Sequence, residues 1–154
     1  MSSRNVRARL LWWKIAQDAR VNALSGPWPM LLHTWLIPCQ DNKGRMEGDA
    51  AIVRGMIFPK READVTSQAV ENWLQELHNK GLAFRYHTNG SWYLQFPEDS
   101  VKRYQKLVGN MKDTSDFPPP DLVAYESWYK HVRTGIYTYE PVSNQYVHVS
   151  TEVE

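Results

Sequence analysis

The chain has 154 residues, 42% of them apolar, with seven tryptophans, which is enough for one packed core plus an extension. Cys39 is the only cysteine, so an internal disulfide is excluded; no apolar run spans a bilayer and the N-terminus lacks the apolar centre of a secretory signal, so a soluble intracellular protein is expected. The net charge of +1 divides into +6 over residues 1–61, zero over 62–112 and −5 over 113–154, as expected for a body that binds a polyanion and an appendage that does not.

The segment Val6 to Leu24 carries Leu10, Leu11, Trp12, Trp13 and Ile15 without clear periodicity. It fits a helix or a short strand leading into one. Ser25-Gly26-Pro27 breaks the chain, and Pro27 or Pro29 can open a helix, where a missing N–H does no harm. Met30, Leu31, Thr34 and Trp35 give that helix an apolar face until Pro38. Asp41-Asn42-Lys43-Gly44 is a turn by composition. Arg45-Met46-Glu47 is a candidate short strand, and Asp49 can cap a helix from Ala50 that Phe58-Pro59 ends.

The strongest local signal lies between Asp64 and Pro97. Val70, Trp73, Leu74 and Leu77 recur at helical spacing, Thr66 can cap the helix, and Gly81 can stop it in a left-handed conformation. A strand from Leu82 to Thr88, an Asn89-Gly90 turn and a return strand from Trp92 to Phe96 follow at once. A helix running into a hairpin is the recognition helix and wing of a winged helix. In the hairpin, Arg85 and His87 share one face with Trp92 and Leu94, while Tyr86 faces Tyr93, so aromatics stand on both faces. Beyond Pro97 a basic segment, Ser100 to Met111, leads to Pro118-Pro119-Pro120, a stiff extended spacer. Leu122, Tyr125, Trp128, Tyr129 and Val132 allow one more amphipathic helix, and Ile136, Tyr137, Tyr139, Tyr146, Val147 and Val149 are strand-like. Such an aromatic extension packs back on the domain or docks on a partner. The expected organisation is a winged-helix domain over 6–112, a proline-rich spacer over 113–120 and an acidic, aromatic extension over 121–154. The fold class is mainly α with a small β-hairpin, a winged helix-turn-helix.

Several islands recur in order: Gly44-Arg45-Met46, Ile57-Phe58-Pro59, Asp64-Val65-Thr66, Leu74, Leu77, Gly81-Leu82, Arg85-Tyr86, Asn89-Gly90, Tyr93-Leu94, Tyr104-Gln105-Lys106 and Pro118-Pro119-Pro120. Together they resemble the winged-helix module of phage and prophage replication-organiser or initiator-like proteins, across roughly Trp13 to Pro120. The resemblance implies a bacterial host cytoplasm, a role in DNA replication, and recruitment of a host or phage replication protein through the tail. It departs from the family at Ala69, where relatives often place an acid that completes a capping box.

Side chains that could carry this chemistry fall into two sets. Gln68, Asn72, Gln75 and Asn79 stack along one face of the long helix, and amides can pair two-point with adenine in the major groove. The alternative is a plain solvated face, and Glu71 and Glu76 flank the row, where they would repel phosphates. Arg54, Lys60 and Arg61 before the helix, and Lys102, Arg103 and Lys106 after the hairpin, are candidate phosphate contacts. Arg85 could reach a phosphate or a minor groove, with His87 beside it. Trp12-Trp13, Trp28 and Trp35 could stack on single-stranded bases, although tryptophans at such spacing more often fill a core. Cys39 and the five histidines lack metal-site spacing, and no phosphate loop or nucleophile elbow is present. A non-catalytic binder of double-stranded DNA, without cofactor or metal, is therefore expected. Two alternatives stay open: a protein-docking adaptor that uses the same helix or the tail, and a transcription regulator of the same fold.

Overall fold

A computed structural model describes residues 8–99, 104–107 and 115–133. Lys102, Arg103 and the strand-like stretch from Ile136 to Val149 lie outside them.

Strand β1, Arg9–Leu11, leads through a 3-10 turn, Trp13–Gln17, into the short helix α1, Ala19–Asn22. The Asp18 carboxylate caps α1 by accepting the Arg20 and Val21 N–H groups. Helix α2, Pro27–Leu36, starts on its proline and gives way to a 3-10 turn, Ile37–Cys39, around Pro38. In the next turn the Asp41 carboxylate accepts the Lys43 and Arg45 N–H groups, and Gly44 takes a φ of 78°. Strand β2, Arg45–Glu47, follows, and Asp49 caps helix α3, Ala50–Ile57, by accepting the Ile52 N–H. Helix α4, Ser67–Asn79, is capped by Thr66, whose hydroxyl accepts the Ala69 N–H. Gly81, at φ 80°, ends the turn after it. Strands β3, Phe84–Thr88, and β4, Ser91–Gln95, meet at Asn89 and Gly90, both at positive φ (53° and 79°), as a type I′ turn requires.

Two small antiparallel sheets result, making the described chain a mixed α+β structure with five α-helices. In the first, β4 sits centrally between β2 and β3, with Met46 opposite Leu94 and Arg85 opposite Leu94 on the other side. In the second, β1 pairs with β5, Gln105–Leu107. This pairing gave no local signal, because each strand is only three residues long and they stand some ninety residues apart.

Helices α2, α3 and α4 pack on one another and on one face of the first sheet. Leu32, Leu36, Val53, Phe58, Val70, Leu74 and Leu77 join Met46 and Leu94 in the main core. Trp28 belongs to this packing, stacked on Trp73 with ring centres 5.8 Å apart, so its rings serve the core. The other face of the hairpin is covered by helix α5, Leu122–Arg133. There Trp128 is fully buried, its ring tilted against that of Phe84 with centres 5.2 Å apart, and its indole N–H donates to the His78 carbonyl at 2.9 Å. The Tyr86 hydroxyl donates to the Pro118 carbonyl at 2.6 Å, so the proline segment lies against the hairpin. Both hairpin faces are thus covered away from the tip, which explains why aromatics occur on each, while His87 and Trp92 near the tip stay exposed. Helix α5 packs back on the body, and Val132 presses on Gly81, where an added Cβ would sit 2.9 Å from Val132 Cβ.

Candidate nucleic-acid interface

The buried stripe of α4 is Val70, Leu74, Leu77 and His78. Opposite it stand Gln68, Asn72, Gln75 and Asn79, the first two exposed and the last two half-buried. They form two hydrogen-bonded pairs: Gln68 Nε2 donates to Asn72 Oδ1 at 3.1 Å, and Gln75 Nε2 to Asn79 Oδ1 at 3.2 Å. Helical i, i+4 spacing brings the partners together and leaves the rest of each amide facing outward.

The acids flanking this row are both engaged by the body. Glu76 accepts the backbone N–H and the hydroxyl of Ser25, which lies just ahead of α2. Glu71 receives two bonds from Arg85, Nη1 to Oε2 at 2.6 Å and Nη2 to Oε1 at 2.9 Å. A bidentate ion pair of this geometry is among the stronger polar contacts a protein makes. Its charge also balances Glu71 beside the row, which lessens the repulsion that the carboxylate would exert on a phosphate.

The sequence leads one to expect Arg85 at a phosphate or in a minor groove. Its side chain is instead 3% exposed, out of reach of either. Besides Glu71 it binds the Gly48 carbonyl through Nε at 2.9 Å, and its guanidinium lies 4.5 Å from the Trp92 ring centre. One side chain thereby ties α4, the β2–α3 connection and the hairpin together, fixing helix and wing relative to each other. A sequence signal for this existed: Arg85 alternates onto the same face as Leu94, a core residue. His87 lies further toward the hairpin tip, exposed, its ring 4.8 Å from that of Trp92.

His78 sits beneath this junction, and its Nδ1 accepts the Arg85 backbone N–H at 3.1 Å. Burial, reinforced by the nearby Arg85 charge, lowers its pKa to about 4, so the ring is neutral and able to accept. His33, fully buried on α2 beside Phe96 and Tyr104, is likewise pushed down to about 4 by burial, which outweighs the opposing effect of Asp18.

The candidate phosphate contacts are less gathered than the amides. Lys60 and Arg61 are exposed in the loop before α4, where Arg61 pairs with Asp64 at 3.0 Å. Arg54 is largely covered and lies 3.7 Å from Glu62. Exposed pairs of this kind contribute about 0–1 kcal/mol, so a phosphate can displace the carboxylate from Arg61. Lys106 is exposed on β5, in the second sheet, where the neighbouring Gln105 bonds to Gln40 after α2. It shares no element with the amide row. Leu10, Leu11, Trp12 and Trp13 form an exposed apolar run, with Trp13 at 70%.

Among the described residues, no three His, Cys, Asp or Glu side chains gather as a metal site, and no helix is long and apolar enough to cross a membrane. Comparison with known protein families, with curated proteins and with solved structures returns no match for this chain.

Proposed function

We propose that this chain binds double-stranded DNA without catalysis, as a winged helix. Helix α4 enters the major groove, and the β3–β4 hairpin lies over the backbone as the wing. The element order α2, β2, α3, α4, β3, β4, with β4 central in the sheet, supports that architecture. The observation that carries the reading is the amide row. It stands on the solvent side of a helix whose opposite side is locked into the core, and both flanking acids are held by body residues. Phosphate contacts would come chiefly from Lys60 and Arg61, because Arg54 is covered and Arg85 is internal. The proposed setting, on the resemblance of the sequence islands to phage replication organisers, is replication initiation in a bacterial host with a replication protein as partner of the tail; a transcription regulator would make the same DNA contact.

Fluorescence anisotropy with a random duplex, at about 50 and 200 mM salt, tests this reading. Binding should weaken steeply with salt, and Lys60→Ala with Arg61→Ala should weaken it further and lower the salt slope by roughly one to two. Absence of binding at the lower salt, or binding indifferent to salt, overturns it. One observation favours a second reading, a protein-docking adaptor: the exposed run Leu10 to Trp13 is an apolar patch of the kind that marks interaction sites. That reading expects no duplex binding and a partner lost when the run is made polar.

A further inference from the structure

We infer that the α4 row selects duplexes carrying two A·T pairs about two to three steps apart, one read by Gln68 with Asn72 and the other by Gln75 with Asn79. The inference rests on the duplex-binding reading above and deepens it to a class of sequence.

Three observations lead there. The first is what α4 lacks. From Ser67 to Asn79 it has no arginine or lysine, the side chains that read the two acceptors of guanine. Its two glutamates, which could accept from cytosine, are bound to Ser25 and Arg85. Apart from the exposed Ser67 hydroxyl, which both donates and accepts and so selects no base, amides are the groups left to address bases.

The second is the internal pairing. Each Gln-to-Asn bond engages one amide nitrogen and one amide oxygen. What each pair leaves wholly free is one carbonyl oxygen and one NH2 group, side by side, with one further N–H on the bonded nitrogen and one lone pair on the bonded oxygen. Exchanging the amide orientations swaps which residue supplies which, but leaves the same two groups. In the major groove adenine offers one acceptor, N7, and one donor, N6–H. Guanine offers two acceptors, cytosine a single donor, and thymine an acceptor beside a methyl group. An outward oxygen next to an outward NH2 therefore uses both of its groups on adenine, whereas guanine leaves the oxygen facing an acceptor, cytosine leaves the NH2 without an acceptor and thymine leaves the oxygen against a methyl group.

The third is spacing. Gln68 to Gln75, and Asn72 to Asn79, are each seven residues apart, which is about 10.5 Å along a helix rising 1.5 Å per residue. Base pairs rise about 3.4 Å each along the duplex axis, and the groove path is longer per step, so the pairs align with bases about two to three steps apart. Because Gln68 and Asn72 are exposed while Gln75 and Asn79 are half-buried, the first pair discriminates more strongly.

Selection of the full-length chain against random duplexes, followed by sequencing, tests this. The wild type should enrich two A·T positions at that separation. Asn72→Ala, or Gln68→Ala as a second variant at an exposed site, should erase enrichment at one position only, and Asn79→Ala at the other. Placing G·C at the first position should weaken binding roughly 5- to 150-fold. A row with a merely structural role would weaken all sequences alike and leave the selected pattern unchanged in the variants. That result, or a retained pool without A·T enrichment, overturns the inference while duplex binding stands. If no duplex is retained, the duplex-binding reading falls and the inference with it.

Discussion

Replacing Glu71 by alanine should cost far more stability than its half-exposed position suggests, and removing Arg85 as well should restore part of the loss. Glu71 is 42% exposed in its side chain, whereas Arg85 is 3% exposed. Glu71→Ala therefore strands a buried guanidinium without its counter-charge and with two N–H groups unpaired. Breaking a buried pair from one side costs about 3–5 kcal/mol. Water can enter where the carboxylate stood, so the lower end, about 3 kcal/mol, applies. At this chain length that is a fall of roughly 6–12 °C in melting temperature. Adding Arg85→Met removes the stranded charge and keeps an unbranched chain packed under Trp92. The double variant loses the Gly48 contact, worth about 1 kcal/mol, and replaces a buried ion pair by apolar contact, which is often close to neutral. It should lie about 1–2 kcal/mol below wild type, and above Glu71→Ala alone. Urea unfolding reads this directly: with a slope of about 2 kcal/mol/M, the single variant's midpoint drops by about 1.5 M and the double recovers part of it. A double variant no more stable than Glu71→Ala would refute the claim that the buried charge, and not the lost contact area, dominates.

Acidification should destabilise the fold before the carboxylates titrate. His33 and His78 have pKa values near 4 in the folded chain, below the unfolded value of 6.5. Unfolding takes up protons between those limits, so stability is full above about pH 6.5 and declines as pH falls, by the order of 3 kcal/mol per histidine at pH 4. Urea midpoints that stay level from about pH 7 to 5 would contradict this. Gly81→Ala should cost about 2 kcal/mol, because φ 80° strains a side-chain-bearing residue and the new methyl would meet Val132; an unchanged urea midpoint would contradict it. Trp128→Ala should cost about 3–5 kcal/mol by emptying the space between α5 and the hairpin, lowering the melting temperature of the whole cooperative unit. Melting of α5 alone, with the rest unaffected, would show that it is a separate appendage.

The elements legible in the sequence are those whose causes are local. Thr66, Gly81 and Asn89-Gly90 act on backbone groups within a few residues of themselves, so α4 and the hairpin can be read from the letters. The amide row follows from helical geometry once α4 is placed. Less legible is whatever depends on a distant partner. Arg85 looked like a ligand contact because Glu71, fourteen residues earlier, is an exposed-looking acid until the hairpin folds beside it. Glu76 looked repulsive until Ser25, fifty-one residues earlier, met it. The pairing of β1 with β5 has no turn to announce it, and the proline segment read as a spacer because nothing local shows that Tyr86 will bond to Pro118.

In the proposed complex the solvent face of α4 and the neighbouring hairpin form the DNA contact. Two-dimensional NMR of the labelled full-length chain, titrated with a short duplex at low salt, tests it most directly. The side-chain amide signals of Gln68, Asn72, Gln75 and Asn79 should shift together with backbone signals around Lys60, Arg61 and His87. Shifts confined to Leu10 through Trp13 or to α5, with the α4 amides unmoved, would contradict it.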